Sequence, residues 1–294
     1  MTALIKGTRV RHVNKANWGV GQLLEDSNSE FIRVFFEGAS HDVTEIQAAF
    51  ADKLTVVTGK DAESALLDNM HLPGPGKSRP KLTMSQAKTR LLEIFPGGLH
   101  GDKMIQNERN YKDAMTALAR KLYAPETLQS HLDNNRYDEI LDLAYLLVKS
   151  QLNNFPASFE KIEFGNGVKA LTRTSEFGKA FCDWVMPEHP TQRAFEAFAS
   201  ELDHMGCAKW PILTAYRFLL HPDVDVLIKP TNLANAAEVA RFEINYRPQL
   251  NWLTYHSVMH FYHYVRQQIS DLKPRDMIDV QNFIWCIDPE QYPQ

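Results

Sequence analysis

The chain has 294 residues, 44% of them hydrophobic and 23% charged, with a net charge of −4 and three cysteines. Such a length can bury a sizeable core in two domains, and near-neutral charge excludes a uniformly basic coat for nucleic acid. Cys182, Cys207 and Cys286 form no C-x-x-C pair, which argues against a disulfide framework or a thiolate zinc site, and no apolar run approaches the roughly 20 residues of a membrane span, so the expectation is a cytoplasmic protein with no membrane partner.

Residues 8–13, 18–25, 31–36, 41–44 and 54–58 read as short strands. Val10, Val20, Ile32, Val34, Phe36, Val43 and Val56 supply their β-branched and aromatic content, and Asn17-Trp18-Gly19, Asp26-Ser27-Asn28 and Glu37-Gly38 supply the turns. An open sheet of such short strands leaves a face and two edges uncovered, so a small closed barrel is the expected solution. Gly7-Thr8-Arg9-Val10-Arg11-His12, Asn17-Trp18-Gly19-Val20-Gly21-Gln22 and the third strand ending Phe36-Glu37-Gly38 carry a likeness. This stretch resembles the small Tudor or CarD-like barrels of bacteria, one version of which sits at the C-terminus of UvrD-type helicases. The resemblance implies a Src-homology-3-like module that docks on RNA polymerase, a helicase or another DNA-processing protein, or on nucleic acid, and it implies no catalysis.

Residues 59–72 read as a short helical connector, with the turn-rich segment from Leu72 to Lys81 as the interdomain linker. Between Pro73 and Arg90 stand Lys77, Arg79, Lys81, Lys88 and Arg90 with no acidic residue. Residues 1–90 carry a net +2 and residues 91–294 a net −6. These five cations, with Arg9 and Arg11 of the first strand, are candidates for contacting DNA phosphates; a solvated tether is the alternative.

From Thr83 onward the periodicity is helical. Helices are expected over 83–95, with Thr83 or Ser85 as cap, and over 104–123, 137–152, 174–185, 191–205, 211–220, 232–242, 251–270 and 275–286. Asn166-Gly167 suggests a turn or hairpin within 162–171. The expected fold is therefore multidomain α and β: a small barrel over residues 1–60, a connector and basic linker over 61–82, and a mostly α-helical domain over 83–294.

Four segments of that domain could carry chemistry. Gly97, Gly98 and Gly101 lead into Glu108-Arg109-Asn110-Tyr111-Lys112, where glycines permit close backbone approach and present amides to an anion. Glu108 and Lys112 are four apart, so a surface ion pair explains them equally well, and the absence of a lysine-serine ending excludes a nucleoside triphosphatase loop. Trp210, His221 and Lys229 offer an aromatic wall and a cation, although Trp210-Pro211 also reads as a helix start stapled into the core. His256, His260 and His263 share a helix face, but in so aromatic a helix packed histidines are the better reading, and no metal or other cofactor is expected. Asp279 and Gln281 interrupt an apolar helix ending in Phe283-Ile284-Trp285, and buried polar groups there need partners.

The order E-R-x-Y-K, W-P-x-L-T, K-P-T and D-M-I-D-V-Q-N-F-I-W is similar to a largely uncharacterised bacterial family with links to DNA modification, phage defence and base-excising glycosylases. Leu72-Pro73-Gly74-Pro75-Gly76 faintly resembles the hairpin of helix-hairpin-helix glycosylases, with prolines where that hairpin would continue. What the resemblance implies is a DNA glycosylase acting on modified or damaged bases in duplex DNA, in repair or antiviral defence. Asp279 or Glu108 would then be the catalytic carboxylate. Arg109, Lys112, Lys229, Lys77, Arg79 and Lys81 would hold phosphates, and Trp210 and Tyr111 would stack on the extruded base. The alternative is a non-enzymatic adaptor. If the charged residues of the helical domain meet in one cleft, the enzyme is favoured; if they scatter over solvated faces, the adaptor is.

Overall fold

The computed structural model describes residues 4–28, 30–39, 43–68 and 82–287. It divides into two compact units, Met1–Leu72 and Pro73–Gln294, with the boundary inside the segment expected to be the linker. Lys77, Arg79, Lys81 and the Leu72-to-Gly76 segment lie outside the described residues.

The N-terminal unit is an antiparallel sheet of β1 (Arg9–His12), β2 (Val20–Leu23), β3 (Phe31–Phe36), β4 (Thr44–Gln47) and β5 (Leu54–Val56), in the order β4-β3-β2-β1-β5. Registers such as Val10↔Gly21, Val10↔Val56 and Ile32↔Ile46 put Val10, Leu23, Ile32, Val34, Phe36, Ile46 and Leu54 into one core. The barrel expected from the sequence is not closed: β4 and β5 remain edges, joined by the 3-10 segment Ala48–Lys53 rather than paired. The fourth strand begins where the 41–44 assignment ends, because the apolar residue reaching the core is Ile46, while Val43 is exposed.

The segment expected as a connector belongs partly to this unit's own packing. Helix α1 (Ala65–Asp68) buries Leu67 against Val20 and Phe35, and Asp68 accepts a 2.8 Å bond from Arg9. Arg9 is therefore buried in an ion pair and offers no cation to a phosphate.

In the helical unit, the described helices are α2 (Met84–Ile94), α3 (Asp102–Met104), α4 (Asn110–Leu122), α5 (Pro125–Asp133), α6 (Tyr137–Lys149), α7 (Ser158–Ala170), α8 (Thr174–Val185), α9 (Gln192–His204), α10 (Trp210–Leu220), α11 (Pro230–Ala240), α12 (Trp252–Gln268) and α13 (Met277–Cys286). Thr83 caps α2 in a reciprocal box with Gln86, which fixes that start. Helix α10 is buried on every side from Trp210 to Leu219, consistent with a central helix that α4, α8 and α9 pack around. Phe177 and Phe181 of α8, Phe198 of α9 and Tyr216 of α10 meet as an aromatic cluster at its heart.

The hairpin expected at 162–171 is instead helix α7. Gly165 and Gly167 are buried in it, and a Cβ on Gly167 would lie 2.6 Å from the Met205 carbonyl oxygen. The glycine there allows two backbones to approach, and turning is not its purpose. Gly167→Ala should therefore cost about 1–3 kcal/mol in a urea titration, since the obstructing atom is backbone. A loss within experimental error would mean that α7 can shift freely.

Lys88 and Arg90, the described part of the basic stretch, lie on α2. The Lys88 ammonium bonds Asp271 at 3.1 Å to both oxygens, and Arg90 is buried, so neither presents an open positive surface.

A candidate active-site cleft in the helical unit

Between α3 and α4 the chain makes a π-turn, Ile105–Arg109, so the helical run widens by one residue just where the charged motif begins. Such turns re-aim the side chains that follow and often occur at functional sites. Here the turn directs Glu108, Arg109 and Lys112 inward: they are 7%, 7% and 3% exposed. The pair expected as a possible surface ion pair is thus a buried one, with Lys112 Nζ 3.2 Å from Glu108 Oε2 and 2.5 Å from Asn282 Oδ1.

The glycines upstream serve the chain itself. Gly97 and Gly98 have φ of 86° and 63°, and a Cβ on Gly101 would sit 2.1 Å from the Pro96 carbonyl oxygen. The Gly98 and Gly101 amides donate to Phe95 and Gly98 carbonyls, so the loop is a turn that spends those two amides internally.

Arg109 anchors the π-turn to α13. Its guanidinium reaches both Asp276 oxygens at 2.7 Å, Asp279 Oδ1 at 3.0 Å and Asp113 at 2.7 Å. Burial alone would weaken its charge, but the bond and charge of Asp276, with Asp279 and Asp113, outweigh it and push the pKa up. Asp279 is fully buried and also takes three bonds from Arg275. Burial raises the Asp279 pKa, yet the Arg275 and Arg109 contacts prevail and hold it below the ordinary carboxylate value. Asp279 is thus occupied as a structural anion and Arg109 as its counter-ion. Neither lines the cleft described below, so Asp279 is not placed there as the reacting carboxylate nor Arg109 as a phosphate contact.

That depressed pKa carries a pH dependence. The Asp279 contribution to stability is present above the unfolded-state value of about 4 and is lost as pH falls through the lower folded-state value. Urea midpoints measured from pH 6 to pH 2 should decline more steeply for the native protein than for Asp279→Asn; parallel curves would contradict the linkage.

The cleft itself, about 240 Å³, is lined by Asn107, Glu108, Tyr111, Lys112, Asn154, Phe155, Leu227, Lys229, Gln281 and Trp285. A second hollow of about 180 Å³ shares Phe155 and Lys229 with it and adds Glu160, Thr231 and Asn232. Five residues singled out from sequence, Glu108, Tyr111, Lys112, Lys229 and Gln281, therefore converge. The Lys229 ammonium lies 4.9 Å from the Trp285 ring and 3.3 Å from the Asn154 carbonyl. Lys112 lies 4.9 Å from the Tyr111 ring.

Burial pushes both lysines down, partly offset by Glu108 at Lys112 and by Glu160 and Glu108 at Lys229. It pushes the Glu160 carboxyl up, against the Ala157 amide that bonds it at 2.6 Å and the charge of Lys229. Burial, with the Glu108 charge, also raises the Tyr111 hydroxyl.

A second buried network delivers Lys229. Arg217 and Asp225 pair at 2.6 Å with neither side chain exposed, and Asp225 also accepts from the Tyr255 hydroxyl at 2.6 Å. The Tyr262 hydroxyl bonds the Leu227 carbonyl at 2.6 Å and lies against Gln281, while the Ile228 amide donates to Thr214 at 3.1 Å. The extended segment before α11 is pinned on both sides, which holds the Lys229 backbone at the cleft edge.

Other sequence candidates fall elsewhere. Trp210 is 2% exposed and donates its indole N–H to the Arg247 carbonyl, so it is core and cannot stack on a base; Trp285 supplies the wall instead. His221 bonds the Val185 carbonyl away from the cleft. His256 and His260 meet edge to face with centroids 4.6 Å apart, and His263 is exposed. Trp285 had a sequence signal, a large aromatic closing the D-M-I-D-V-Q-N-F-I-W helix, whereas Glu160 and Phe155 had none. No family model matches this chain, and no curated protein or solved structure matches it. No described helix is long and apolar enough to cross a membrane.

Proposed function

We propose that the helical unit handles a single nucleobase of DNA and hydrolyses its N-glycosidic bond, with Glu108 as the carboxylate that orients water or stabilises the oxocarbenium ion. The observation that carries this reading is the meeting of Glu108, Lys112, Lys229, Tyr111 and Trp285 in one cleft. Tyr111 and Trp285 are flat walls for a base, Asn107 and Gln281 are amides able to read its edge, and Lys229 is a cation for a flanking phosphate. A volume of about 240 Å³ lies below the roughly 300–1,000 Å³ of ordinary ligand pockets, which suits one extruded base better than a larger ligand.

The N-terminal unit fits a docking role. Its strand order, with β5 returning to pair β1, supports the Src-homology-3-like reading and the likeness to Tudor and CarD-like modules. A purely adaptor function for the whole chain accounts less well for ionisable groups gathered in a cleft rather than spread over solvated faces.

The test is incubation of the full chain with duplex DNA carrying modified or damaged bases, including phage DNA, followed by alkali. Abasic sites revealed as strand breaks support the reading. Intact strands on every substrate overturn the enzymatic reading and leave the adaptor.

A further inference from the structure

We propose that Gln281 is a fixed hydrogen-bond acceptor in the cleft, and that the ligand taken there is a planar heterocycle offering it an N–H. This deepens the reading above and rests on it: bases are selected by an amino or lactam N–H on the edge that enters.

A single proton decides the orientation of the amide. The Tyr262 hydroxyl lies 2.6 Å from the Leu227 carbonyl oxygen and is also bonded to the Gln281 side chain. A phenol carries one O–H and a carbonyl oxygen only accepts, so the contact with Leu227 takes the Tyr262 proton. Burial pushes the Tyr262 pKa up, which keeps that proton in place. The phenol oxygen then has only lone pairs left for Gln281. With the amide oxygen facing it, no proton would stand between the two oxygens. A half-turn of the terminal amide exchanges oxygen and nitrogen without moving the rest of the side chain, and Nε2–H then donates to Tyr262.

What remains is an acceptor open to the ligand. Gln281 lines the cleft and is 3% exposed, and among the described residues Tyr262 is the one hydrogen-bond partner of its side chain. Its Oε1 is therefore left without a partner at the cleft wall. Tyr262 is fully buried and tied to Leu227, so the orientation is set before any ligand arrives. The neighbouring polar groups are less selective. Lys112 already donates to Glu108 and Asn282, Lys229 donates to the Asn154 carbonyl, and Asn107 is exposed, so its amide can present either face.

A buried acceptor covered by a ligand that cannot donate loses its water and gains nothing, so such a ligand is rejected. The amino groups of adenine and cytosine and the lactam N–H of uracil satisfy Oε1. Purine and pyrimidin-2-one carry a C–H where those amino groups stand, and 3-methyluracil has lost its ring N–H. Tyr111 and Trp285 meet ring faces in this arrangement, so they do not separate the members of each pair.

The experiment uses the full-length chain and has two arms. In the first, with glutamine side chains labelled with nitrogen-15 and the Gln281 signal identified by its absence in Gln281→Leu, exchange of side-chain N–H with water is measured by NMR without ligand. The Gln281 protons, facing a buried hydroxyl, should exchange at least about tenfold more slowly than those of exposed Gln151. Exchange as fast as Gln151 overturns the proposal, because the amide nitrogen then opens onto the cleft. In the second arm, adenine is titrated against purine, cytosine against pyrimidin-2-one and uracil against 3-methyluracil by calorimetry. The N–H member of a bound pair should bind about tenfold tighter, as one neutral hydrogen bond gives. Tyr262→Phe, which lets the amide turn, should shrink that ratio while keeping its circular dichroism spectrum; an unchanged ratio in the folded variant overturns the lock. Bases bound by the native protein without preference remove the acceptor and leave the base reading. A protected Gln281 with none of the six bound removes the base reading and leaves the acceptor.

Discussion

Arg109→Met should lower the unfolding free energy of the helical unit by about 3–5 kcal/mol, the scale seen when one partner leaves a buried ion network. The guanidinium is the shared donor to Asp276, Asp279 and Asp113, and its side chain is 9% exposed. Removing it takes the shared guanidinium away from two buried carboxylates. Arg275 still holds Asp279, and Asp276 still caps α13 through the Ile278 and Asp279 amides, so the loss should fall toward the lower end of that range. Asp113→Asn supplies the contrast. That carboxylate is 51% exposed, and its removal should cost under about 1 kcal/mol. Urea denaturation of both variants decides the matter; equal losses would mean that the network between the π-turn and α13 contributes no more than a surface pair.

Most helix positions were legible because they depend on near neighbours in sequence. Thr83 with Gln86, Thr191, Asn251 and Asp276 each bond an amide two or three residues on, and each marks a helix start. One failure has a long-range cause. Asn166-Gly167 carries the dipeptide of a turn, and only contact with Met205 reveals that Gly167 sits in a packed helix. Helix α5 was unassigned, although Pro125 at its first position was a usable signal.

The site divides along the same line. Glu108-x-x-x-Lys112 was visible as a motif, but its burial was not. The groups that pull it inward, Asn282 for Lys112 and Asp276 and Asp279 for Arg109, lie about 170 residues away. Asp279 and Gln281 were rightly expected to have partners, since each breaks an apolar helix. Sequence could not say that Asp279 would be consumed by two arginines while Gln281 lines the cleft. Of two tryptophans at helix ends, Trp210 goes to the core because its neighbours Pro211, Ile212 and Leu213 are buried all round, and Trp285 remains at an edge.

Glu108→Gln should slow base release by about 10²- to 10⁴-fold, the range lost with a positioned general base, and should leave DNA binding within a few-fold of the native protein. The amide keeps the shape of the carboxylate and an oxygen that can accept from Lys112, but it can neither take a proton from water nor face a developing cation with full charge. A fall in kcat with KM preserved is therefore the signature of the role assigned to it. The substitution also removes the carboxylate 3.2 Å from Lys112 that offsets the burial of its ammonium. The Lys112 pKa should then fall further, so some stability is lost and the remaining activity acquires a different pH profile. Because of that cost, the measurement is made below the variant's own unfolding temperature, and Asp279→Asn is assayed beside it. If Glu108→Gln is folded and releases base at the native rate, the reacting carboxylate is elsewhere in the cleft, and Glu160, across the shared Lys229, is the group to change next.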